Sequence, residues 1–131
     1  MSGRALVTGA SGAFGSALRA TLRERGWTVA GLDLRPDPGD EDVLACDITR
    51  DDEVPAAVAA AIERLGGGVD ALVNNAGIGG PASAGAPPDD HVRRMLDVNL
   101  LGAWRVTAAA IDSLVDSRGR VVLVGSRRAS A

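Results

Sequence analysis

Short apolar runs and helix-spaced apolar residues alternate along the chain. Ala5-Leu6-Val7 is fully apolar and ends in Thr8-Gly9-Ala10-Ser11-Gly12-Ala13-Phe14-Gly15, after which Leu18 and Leu22 keep helical spacing up to a stop at Gly26. This predicts strand, glycine turn and helix. Trp27 to Leu34 reads as a second strand and Val43-Leu44-Ala45-Cys46 as a third. Val54, Val58, Ile62 and Leu65 define a helix over Asp51 to Leu65, closed by Gly66-Gly67-Gly68. Val69 to Val73 predicts a fourth strand running into Asn74-Asn75-Ala76-Gly77. A Pro/Gly/Ala loop to Pro88 then leads to one long helix over about residues 89 to 116, and Val121 to Val124 predicts a fifth strand. Fully apolar strands alternating with helices specify an α/β architecture, a doubly wound parallel sheet of about five strands with helices on both faces.

Composition narrows the chemistry. The 131 residues are 46% hydrophobic, fit one domain over 1–131, and show no linker composition or internal repeat. All 14 basic residues are Arg and there is no Tyr, so a mechanism that needs a Lys amine or a Tyr phenol cannot run on this chain alone. One Cys and one His exclude an internal disulfide framework and a Cys/His metal cluster, so no metal site is expected. A net charge of −3 with scattered Arg residues argues against nucleic acid as a partner. No apolar run approaches the roughly 18 residues of a membrane helix, so the expectation is a cytoplasmic protein with no membrane partner.

Ligands of such sheets bind beyond the strand C-terminal ends. The chemically suspicious residues all fall there: Gly9 to Gly15, Asp33, Asp47, Asn75 to Gly77 and Ser126. A glycine turn between strand and helix lets a pyrophosphate approach backbone N–H groups at the positive helix end, where a Cβ would block it. It also fits a plain turn in a Gly-rich protein. Asp33, 18 positions after Gly15, adds an acceptor for an adenosine ribose diol.

Thr8-Gly-Ala-Ser-Gly-Ala-Phe-Gly15, Asp47-Ile48, Asn74-Asn-Ala-Gly77, Asn99 in Val-Asn-Leu-Leu-Gly, and Gly119-Arg-Val-Val-Leu-Val-Gly-Ser126 together resemble, in order and spacing, the short-chain dehydrogenase/reductase family. The resemblance covers essentially the whole chain but only the N-terminal half or so of a family member. It implies a Rossmann fold and a dinucleotide held by Gly9, Ser11, Gly12, Ala13, Phe14, Gly15, Asp33 and Leu34. It further assigns Asp47 to the adenine amino group, Ile48 to the flank of the ring, and Asn75, Ala76 and Gly77 to the nicotinamide-side ribose. Asp47-Ile48-Thr49 reads equally as a helix start with Thr49 as N-cap. Asn74 reads as a structural amide that ties neighbouring strand-end loops.

Ala13 stands where the family's middle Gly usually is, and Gly12 lies one place earlier. Thr-Gly-x-x-Gly-x-x-Gly looks like the extended branch, whereas Asn-Asn-Ala-Gly looks classical. Asp33 would repel the 2′-phosphate of NADP, so charge favours NAD, while Arg35 two residues on keeps NADP as the less favoured alternative.

The resemblance assigns Asn99 to a proton relay and Ser126 to the substrate oxygen, with hydride passing between nicotinamide and an alcohol or carbonyl carbon. The family's Tyr and Lys follow roughly a dozen and sixteen residues beyond that Ser. They are absent here. The expectation is therefore the cofactor-binding half of an NAD(P)-dependent oxidoreductase, truncated after the fifth strand and inactive by itself. The alternative is a half-length nucleotide-binding or interaction module without chemistry. No substitute acid is visible, because Asp112 and Asp116 read as solvent-facing and His91 as a surface residue. Val121 to Val124 is expected to form an uncovered apolar edge, and Cys46 an inert buried residue. Trp104, Val106 and Ile111 read as core, with a dimer seam as the other option. Family members are usually dimeric or tetrameric, so a homo-oligomer is the expected assembly.

Overall fold

The computed structural model describes residues 2–125. The elements in order are β1 (Arg4–Thr8), α1 (Ala13–Glu24), β2 (Thr28–Asp33), β3 (Val43–Ala45), α2 (Val54–Arg64), β4 (Ala71–Asn74), α3 (Asp90–Leu96), a π-helical segment (Asp97–Gly102), α4 (Ala103–Ser117) and β5 (Arg120–Leu123). All pairings are parallel in the order β3-β2-β1-β4-β5, so the doubly wound, Rossmann-like sheet is the architecture. Chain order reverses between β1 and β4, which is where sheets of this kind open a crevice.

The pleat divides the core. Leu6 pairs with Ala30 and Leu72 and points with them to the face covered by α2 and α4. Val7 pairs with Val73 and points to the other face, where Leu18 and Leu22 of α1 and Trp27 pack. Helix stripes match these faces: Val54, Val58 and Ala61 are buried on α2, and Val106, Ala110 and Leu114 on α4. At the N-terminal edge of the sheet, Arg4 grips Asp70 through Nε (3.0 Å) and Nη2 (3.2 Å), joining the starts of β1 and β4.

Four expectations need correction. The second helix begins at Val54, not Asp51, and Thr49 does not cap it. Its N–H and Oγ1 both donate to Asp47 Oδ1, which holds residues 47–49 in a turn, and Pro55 then occupies the first helical turn, where a missing N–H costs nothing. The long helix is interrupted by the π-helical turn around Asn99. Trp104 and Ile111 are not core: they are 71% and 46% exposed, on the side of α4 opposite the Val106 stripe. Finally, His91 is half-buried rather than a surface residue, with Nε2 packed against the Gly80 backbone. As expected, Asp112 and Asp116 face solvent and the apolar residues of β5 lie uncovered, with Leu123 at 70% exposure.

Candidate cofactor site

Four strand ends converge on one groove. Thr8 ends β1, Asp33 ends β2, Cys46 to Ile48 follow β3, and Asn75 to Ile78 follow β4. They enclose about 410 Å³ together with the N-terminus of α1. Of the sequence-predicted residues, Gly9, Gly12, Ala13, Phe14, Gly15, Asp33, Leu34, Asp47, Ile48, Asn75, Ala76 and Gly77 line this groove. Ser11 and Asn99 do not line the groove but bond to Asp33 and Ile78, which do, and Ser126 lies outside the described residues.

The glycine turn is built by two tight requirements. Gly9 adopts φ +62°, which glycine reaches without strain, and a Cβ on Gly15 would collide with the Gly9 carbonyl oxygen. The result brings α1 against the end of β1. The N-terminus of α1 carries no side-chain cap and no acidic residue in its first turn, so its orphan amides and positive dipole end remain for an anion.

Asp33 is fixed from two sides. Ser11 N–H donates to its Oδ2 and Arg35 N–H to its Oδ1, both at 3.0 Å. Each carboxylate oxygen keeps a further lone pair. Asp47 is held below the ordinary carboxylate range, first by the Thr49 hydroxyl and N–H and then, against partial burial, by the charges of Arg94 and Arg50. Burial, with the charges of Glu53 and Asp47 behind it, pushes the Cys46 thiol up to about 11, so it is an inert wall of the groove.

Thr8 ties the two halves of the site together and carries a role that sequence reading left unassigned. Its buried Oγ1 accepts from Asn75 N and Ala76 N, both at 3.0 Å, while Asn75 Nδ2 donates to Gly9 O at 3.3 Å. Asn74 is a buried structural amide as expected, but its Nδ2 donates to Thr107 Oγ1 of α4 at 3.0 Å rather than to a neighbouring loop. The Asn99 side chain grips the backbone of one residue at both ends: Oδ1 accepts from Ile78 N (2.8 Å) and Nδ2 donates to Ile78 O (2.9 Å). It thereby pins the segment that follows Gly77. Sequence reading also missed Arg94 and Val98, which the helical run after residue 89 brings to the groove rim.

The cradle fits a dinucleotide. It offers an uncapped helix terminus for a pyrophosphate, a fixed carboxylate for a ribose diol and an apolar wall for a ring. The chain belongs to the short chain dehydrogenase family, whose model matches residues 4–131. The oxidoreductase UcpA of Escherichia coli strain K12 is 32% identical over 93% of this chain and 51% of its own. The alcohol dehydrogenase of the archaeon Thermococcus sibiricus, solved with 5-hydroxy-NADP, superposes at TM-score 0.83 with 27% identity over 92% of this chain and 57% of its own. The 3-ketoacyl-(acyl-carrier-protein) reductase of Brucella melitensis, solved with NADH, superposes at 0.74 with 31% identity over 87% and 51%. The chain thus spans about half the length of the curated relatives it matches. Among the described residues no helix is long and apolar enough to cross a membrane.

Proposed function

We propose that the chain is the dinucleotide-binding half of an NAD-preferring cytoplasmic oxidoreductase acting on an alcohol or carbonyl substrate. The observation that carries this reading is the fixed Asp33 carboxylate sharing one groove with the uncapped N-terminus of α1. The amides of that helix end bind the pyrophosphate, and Asp33 accepts the hydroxyls of the adenosine ribose. Asp47 and Ile48 receive the adenine, and Asn75 to Gly77 line the nicotinamide-side ribose. A 2′-phosphate meets the Asp33 charge, so NADP is disfavoured. When bound, the dinucleotide supplies the hydride acceptor or donor.

Asn99 keeps the substrate-side segment in place through Ile78 and serves the proton relay, while Ser126 serves the substrate oxygen. The sequence holds no Tyr and no Lys, so these 131 residues lack the acid that a carbonyl oxygen requires. The exposed face of Leu100, Trp104, Ile111 and Leu123 supports burial in a homo-oligomer. The test is an NADH titration followed by an alcohol and carbonyl panel on the 131-residue protein. Binding without turnover is expected. Absence of binding removes the cofactor reading, and turnover above background removes the claim of inactivity.

A further inference from the structure

A buried guanidinium lies beneath the glycine turn. Arg19, on α1, is only 4% exposed, whereas α1's other inward residues, Leu18 and Leu22, are apolar. Burying a charge is costly unless it is paired and hydrogen-bonded, so its partners define what it does. Arg19 Nε donates to Ala10 O of the glycine turn at 2.9 Å, and Nη2 donates to Asp40 Oδ2 at 2.9 Å. Asp40 belongs to the segment between β2 and β3.

These bonds belong to a ring to which the Asp33 carboxylate is tied. Asp40 N–H donates to Asp37 O at 3.1 Å, and Asp37 N–H donates to Ser11 Oγ at 3.4 Å. Ser11, adjoining Ala10, donates its own N–H to Asp33 Oδ2. Arg19 therefore holds both segments that fix the Asp33 carboxylate, while touching neither Asp33 nor the groove.

Resting on the cofactor reading above, we propose that Arg19 is a positioning residue for dinucleotide specificity. Through its ion pair with Asp40 it locks the segment after β2 onto the glycine turn, and so keeps Asp33 aimed at the adenosine ribose. NAD is discriminated from NADP by Asp33 only while that ring is closed.

The experiment is calorimetric titration of NAD and NADP into the full chain as wild type, Arg19→Met and Asp40→Asn. Loosening Asp33 costs its bonds to the ribose diol and relieves its repulsion of the phosphate. Both variants are expected to bind NAD about tenfold more weakly and to show an NAD-over-NADP preference narrowed by a similar factor. Two other roles give different patterns. A brace with no part in specificity lowers both affinities alike and leaves the ratio unchanged. A counter-charge for the cofactor's phosphates widens the preference in Arg19→Met, because NADP carries more charge, and strengthens NAD binding in Asp40→Asn. Either pattern overturns the proposal. If Arg19→Met does not fold, Asp40→Asn decides by the same two readouts, since weaker NAD together with a narrower ratio fits positioning alone. A wild-type chain that binds neither dinucleotide removes the cofactor reading and this inference with it, whereas wild-type binding with unmoved variant ratios removes this inference only.

Discussion

The hydroxyl of Thr8 stands 3.0 Å from the backbone nitrogen of Asn75, which joins the end of β1 to the turn after β4 across the point where the sheet changes direction. The same oxygen accepts Ala76 N–H. Thr8→Val keeps the shape and strands two partly buried donors, so a loss of about 1–3 kcal/mol in stability is expected from denaturant midpoints. Dinucleotide affinity falls with it. Thr8→Ser preserves the acceptor and should restore most of both, and a Val variant as stable as wild type would refute the role.

Glycines of the turn are not equivalent. A Cβ at Gly12 meets only Gly9 O at 3.5 Å, and its φ of −72° suits any residue, whereas a Cβ at Gly15 strikes backbone. Gly12→Val should fold with a near-native circular dichroism spectrum and lose dinucleotide binding, because the branched side chain fills the anion cradle. Gly15→Ala should unfold at lower temperature than wild type. Full NAD affinity in Gly12→Val would place the pyrophosphate elsewhere.

Stability should fall in acid. The Arg4 hydrogen bond leads in holding Asp70 below the ordinary carboxylate range, and the Thr49 bonds do the same for Asp47. Partial burial pushes the Asp40 carboxyl up, but the Arg19 bond and charge outweigh it and the net direction is down. Each group is more acidic in the folded state than at its unfolded value of about 3.9, so the unfolded chain binds more protons below that pH. The stability these groups contribute is present above about pH 4 and is lost as pH falls through the folded values. Urea midpoints from about pH 6 down to pH 3 should decline, and Asp70→Asn should flatten that decline. A midpoint constant over the range would contradict the assignment.

The sheet and most of the groove were legible because both are written locally. Fully apolar runs name the strands, and Gly, Asp and Asn at their ends fall on one side of a parallel sheet whatever its order. Contacts between distant segments left no such trace. Thr8 looks like the first letter of a motif until β4 arrives beside it, and Arg19 looks like one more exposed helical Arg until Asp40 folds back over α1. The π-helical turn escapes periodicity because it adds one residue to a turn without changing which residues are apolar. Trp104 and Ile111 misled for the opposite reason. Their apolar character suggests burial, but the inner face of α4 is already filled by Val106, Ala110 and Leu114.

On the proposed reading, this groove holds a dinucleotide and reads its ribose through Asp33. The decisive quantities are the dissociation constants for NAD and NADP of wild type and Asp33→Ala. Wild type should bind NAD more tightly than NADP, and Asp33→Ala should narrow the gap by about tenfold or more as phosphate repulsion disappears. Equal affinities in wild type, or a preference unmoved by the substitution, would contradict it.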